Sequence, residues 1–112
     1  MSLRDQILHS LPPSETVMIP EWESYVLVVG MTGAQRDELD RMALNGKSLS
    51  PNLRAVICRM CVHDPETRIA LFSKEDEAQL GGLSGSALDR VLEAAQRLSG
   101  IGSDAIEREK KD

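Results

Sequence analysis

The chain has 112 residues, 41% of them hydrophobic, with three aromatics (Trp22, Tyr25 and Phe72) and a formal charge of −5 at pH 7. That length makes one domain whose core needs no disulfide or metal, and a core of Leu, Val, Ile, Met and Ala suits helices better than a β-sandwich. With no Lys/Arg stripe and few aromatics to stack on bases, no nucleic-acid partner is expected, and no apolar run approaches the roughly 18–20 residues of a membrane span.

Ser2 caps a short first helix with Leu3, Ile7, Leu8 and Leu11 on one side, and Pro12-Pro13 ends it. Thr16 to Ile19 reads as a first strand and Tyr25 to Val29 as a second, joined by a hairpin connection over Pro20 to Ser24. Tyr25-Val26-Leu27-Val28-Val29 is apolar throughout, so this strand expects cover on both faces. After Gly30, Thr32 and Gln35 match a capping box and open a second helix from about Gly33 to Leu44. Its inward residues are Leu39, Met42 and Ala43, and Gly46 lies beyond its end.

Ser50-Pro51 starts a third helix, which carries Leu53, Val56, Ile57, Met60 and Cys61 at helical spacing. Asp64-Pro65-Glu66-Thr67 is turn chemistry, followed by a short extended piece from Ile69 to Phe72. Ser73 caps a fourth helix that ends before Gly81-Gly82. In the fifth helix Leu88, Val91, Leu92, Ala95 and Leu98 keep the period, and Gly100 stops it. The expected fold is mainly α with a small antiparallel β-hairpin near the N-terminus, an α+β arrangement of about five helices. Residues 1–102 form one globular domain, and 103–112 form a charged, frayed tail.

Cys58-Arg59-Met60-Cys61 is the one pattern that invites a redox or metal reading. Zinc needs about four ligands, and only His63 and Asp64 lie nearby, too close in sequence to wrap one ion. A thioredoxin-like pair places its first cysteine at a helix N-terminus; these fall late in a predicted helix. They read as two small hydrophobes. Met1 to Asp5 lacks the basic and apolar regions of a signal peptide, so a reducing cytoplasm with free thiols is expected.

His9 and His63 have no evident nucleophile beside them, and Asp37, Glu38 and Asp40 alternate with Arg36 and Arg41 as a solvated helix face does. Gly81-Gly82-Leu83-Ser84-Gly85 lacks the lysine of a phosphate loop. No catalytic residue, cofactor or metal site is expected. What remains is a packing surface: a strand apolar on both faces needs a layer on each side, and a two-stranded hairpin is marginal alone. Trp22, Tyr25, Leu27, Val29 and Met31 are the candidate protein-interface residues, and self-association into a homo-oligomer is expected.

The order of elements resembles the tail assembly chaperones of long-tailed bacteriophages and prophages. The resemblance rests on the opening helix at Met1-Ser2-Leu3-Arg4-Asp5, on Val17 to Trp22 and on the Val-rich second strand. It continues through Val29-Gly30-Met31-Thr32-Gly33, Gln35-Arg36-Asp37, Arg68 to Phe72, Leu88-Asp89-Arg90 and Leu98-Ser99-Gly100, nearly the whole chain. Glu23 stands where the family often has glycine, Val29 where it often has arginine, and the CxxC is outside the pattern. The resemblance implies a non-enzymatic helper that coats the tape-measure protein, helps recruit tail-tube protein, and is absent from the finished tail. It also implies a longer form made by ribosomal frameshifting, for which Lys110-Lys111 is compatible with a slippery A-AAA-AAG. The rival readings are another small structural or connector phage protein, and a CxxC redox or metal-binding protein.

Overall fold

The strand that is apolar throughout organises everything else. In the computed structural model, which describes residues 2–44 and 53–100, it is β2 (Ser24–Val29) and lies at the centre of a sheet. On one side it pairs antiparallel with β1 (Ser14–Ile19), in a register that sets Thr16 opposite Leu27 and Met18 opposite Tyr25. On the other it pairs with β3 (Val62–His63), with Val62 opposite Val28 and His63 opposite Leu27. The hairpin is therefore as expected, but the sheet has a third strand. Two residues carry no readable period, so only the tertiary pairing reveals it. Ala70 continues the sheet through a bridge to His63.

Five α-helices lie among the described residues: α1 (Leu3–Leu8), α2 (Gly33–Leu44), α3 (Leu53–Cys61), α4 (Glu77–Gly81) and α5 (Gly85–Leu98). Of the caps read from the sequence, those of α1 and α2 are formed. The Ser2 hydroxyl accepts from the Asp5 N–H at 3.2 Å. The Gln35 N–H donates to Thr32 Oγ1 at 3.1 Å and the Thr32 N–H to Gln35 Oε1 at 3.0 Å, closing the box before α2. Ser73 forms a second such box with Asp76 ahead of a 3₁₀ turn, Lys74–Asp76, so only Glu77–Gly81 of the expected fourth helix is α-helical. The strand connection is likewise a 3₁₀ turn, Pro20–Trp22, released by Glu23 in the left-handed region at φ 51°. The expected start of α3 at Ser50-Pro51, the Gly46 stop, the inward face of Ala43 and the 103–112 tail lie outside what is described.

Alternation sorts the sheet into two faces. Ile19, Val26, Val28 and Val62 point inward and are at most 5% exposed. Against them pack α3, through Ala55, Val56, Ile57, Cys58, Met60 and Cys61, and α5, through Ala87, Leu88, Val91, Ala94 and Ala95. Alanines on α5 let it come close. At its C-terminal end a side chain on Gly30 would sit 2.7 Å from the Leu98 carbonyl oxygen, and Ser99 Oγ accepts from the Met31 N–H at 2.9 Å. Among the described residues four surface ion pairs form, including Arg90–Glu21 (2.9 Å) and Arg97–Glu15 (2.6 Å), which join α5 to the 3₁₀ turn and to β1.

Candidate functional site

The polar groups are arranged for structure. Arg59 on α3 donates from Nη2 to Glu38 on α2 at 2.8 Å and from Nε to Glu77 on α4 at 2.7 Å, joining three helices. Burial works against the guanidinium charge, but the hydrogen bonds it donates to Glu38 and Glu77 outweigh it and raise its pKa. The Arg59 hydrogen bond in turn holds the Glu38 carboxyl below its usual range. Glu21 is held low as well, first by the Ser86 hydroxyl, which donates to it at 2.8 Å.

Cys58 and Cys61 are wholly buried, and burial pushes both thiols up to about 12, with Cys58 adding to the shift at Cys61. A nucleophilic or metal-ligating cysteine needs the thiolate, so this setting disfavours both roles. His9 closes the end of α1 through Nδ1 and the Asp5 carbonyl, while His63 Nδ1 lies 3.1 Å from the Arg68 carbonyl. Among the described residues no three His, Cys, Asp or Glu side chains converge as metal ligands would.

The apolar surface is where the chain departs from an ordinary monomer. On the outer face of the sheet Met18 is 43% and Tyr25 63% exposed, while Leu27, buried, forms the floor between them and Val29. Beside Leu27 lies a cleft of about 260 Å³, walled by Leu11, Pro12, Leu27, Val29 and Met60, with Gln35, His63 and Arg68 at its polar edge. Arg68 stands in the left-handed region at φ 65°, at the end of the turn in which Asp64 Oδ1 accepts from the Glu66 and Thr67 N–H groups. α1 leaves the body from the rim of this cleft and buries none of its residues; Leu3, Ile7 and Leu8 are 61–71% exposed and Leu11, after it, is 84%.

Of the five interface candidates, Tyr25, Leu27 and Val29 share this outer face. Trp22 is half-buried against the core, and Met31 is part of it at 7% exposure. α1 stands apart from the sheet and buries none of its own residues. His63 and Arg68 reach the cleft through the third strand and its turn, which the sequence does not announce.

No protein-family model matches the chain, and no curated protein matches it by sequence. Its fold does match a solved structure, that of the bacteriophage HK97 tail assembly chaperone. The TM-score is 0.64 over 85% of this chain and 91% of that one, at 19% sequence identity. The chain therefore shares the fold of a phage tail assembly chaperone, and no helix among the described residues is long and apolar enough to cross a membrane.

Proposed function

We propose that the protein is a non-enzymatic tail assembly chaperone. It binds the tape-measure protein, helps bring tail-tube protein to it in the host cytoplasm, and leaves before the tail is complete. The observation that carries this reading is the shared fold over nearly the full length of both chains. The apolar outer face and α1 support it, since a contiguous exposed apolar surface in a small acidic domain marks a contact site for protein. The chain works as a homo-oligomer and alongside a longer frameshifted form of itself, a reading with which Lys110-Lys111 is compatible.

The test is co-expression with segments of a tape-measure protein from the same phage or prophage genome. The chaperone reading expects a tape-measure segment that is insoluble alone to become soluble and to co-purify with the chain. A segment that stays insoluble and unbound at equal expression overturns the reading.

A further inference from the structure

We propose that α1 of one copy docks in the outer-face cleft of a second copy, and that this exchange is the self-association contact. The proposal gives a surface to the self-association named above and rests on that part of the reading alone. Its first support is the state of α1 itself. A six-residue helix is far below the roughly 12–15 residues at which isolated helices become even marginal in water, yet α1 buries nothing against its own chain. Its hydrogen bonds among the described residues close within residues 2–10. Packing on another molecule supplies what its own chain does not.

The same chain carries a receptor for it. The cleft floor is Leu27 and Val29, and its mouth opens beside Leu11 and Pro12, where α1 begins its departure. The hinge is stiff: Pro12-Pro13 restricts the backbone, and the Pro13 carbonyl is fixed by the Gly30 N–H at 2.8 Å. α1 is thus held away from its own cleft and available to another. Donor and receptor belong to one chain and meet at Leu11 and Pro12, so two copies can exchange α1 reciprocally, which suits a two-fold pair.

Area and charge agree. Leu3, Ile7, Leu8, Leu11, Met18 and Tyr25 are each 43–84% exposed, together an apolar surface on the order of several hundred Å² per copy, the scale of one side of a standard interface at roughly 800 Å². α1 holds one arginine and one aspartate, Arg4 and Asp5, so the chain's net charge of −5 is not concentrated on the contact.

Sedimentation of the full chain tests this with two variants, each altered only at exposed residues: Ile7→Glu with Leu8→Glu on the donor, and Ser14→Arg with Arg68→Glu on the receptor, where both side chains line the cleft. The wild type is expected to associate, and each variant to dissociate with its dissociation constant raised at least ~100-fold while its circular dichroism is unchanged. Mixing the two variants is expected to recover part of the association, because in the mixed pair one intact α1 meets one intact cleft while the reciprocal contact stays broken. A monomeric wild type, variants that still associate, or a mixture that stays monomeric overturns the proposal. Variants that still associate, in a protein that solubilises the tape measure, would sink this contact and leave the chaperone reading standing.

Discussion

α5 and α1 are built from the same local signals and end in opposite environments. Each begins at a serine whose hydroxyl accepts a backbone N–H in the first turn, and each carries apolar residues at helical spacing. α5 puts Leu88 and Val91 into the core and is tied down by Arg90 and Arg97, whereas α1 leaves Leu3, Ile7 and Leu8 mostly in solvent. The difference lies in what the rest of the chain provides. The inner face of the sheet is broad and apolar, Val28 and Val62 being wholly buried there, so α5 has a surface to cover. On the outer face only Leu27 is deeply buried, and the diproline hinge holds α1 clear of it. An amphipathic helix says that a face must be covered; it does not say by which molecule.

The sharpest way to break this comparison is to place a charge on each side. Val28→Asp puts a carboxylate where there is no water and no partner, and is expected to cost more than about 4 kcal/mol, enough to unfold the domain. Leu8→Asp on α1, where the side chain is 62% exposed, is expected to change the stability of the dilute monomer by no more than about 0.5 kcal/mol. Urea unfolding of both variants at low concentration checks the pair. A Leu8→Asp protein as unstable as Val28→Asp would show that α1 packs at home after all.

A smaller effect probes how closely α5 sits on the sheet. The Cβ of Gly30→Ala would meet the Leu98 oxygen at 2.7 Å and the Leu98 carbon at 3.1 Å, both backbone atoms that cannot rotate away. Relief requires the last turn of α5 to lift, which strains the bond between Ser99 Oγ and the Met31 N–H. A loss of about 2 kcal/mol is expected, within the usual range for overpacking, read as a lower urea midpoint with an unchanged slope. An unaffected midpoint would mean that the seam gives way easily.

Much of this architecture was legible in the chain because its signals are local. Thr32 with Gln35 marks a helix start through bonds that span three residues, and the period of Leu88, Val91 and Ala95 needs no partner to be seen. What escaped was long-range. The third strand is two residues whose only reason to be extended is the open edge of β2, and the cleft depends on His63 and Arg68 arriving there by that route. Tyr25, Leu27 and Val29 could be named as a surface because strand alternation sorts them together. The same alternation ends at Gly30, and Met31, just past it, packs into the core with α3 and α5.

The smallest expected effect concerns the buried pair on α3, the helix that shares the inner core with α5. Cys58 and Cys61 fill space among alanines, so replacing both by Ala should cost about 1–2 kcal/mol at pH 7, the expense of small cavities, and no association. Their pH behaviour separates packing from chemistry. Folded, both thiols are held protonated up to about 12, whereas in the unfolded chain they release protons near the ordinary thiol value of about 8.5. The folded state therefore binds more protons above that value. The stability tied to the thiols is whole below about pH 8.5 and is lost as the pH climbs toward 12. The gap between wild type and the double alanine variant should thus narrow between pH 7 and pH 10, as urea titrations at the two values would show. A gap that stays constant would mean that these sulfurs meet water in the folded protein, and that the inner core is looser around α3 than around α5.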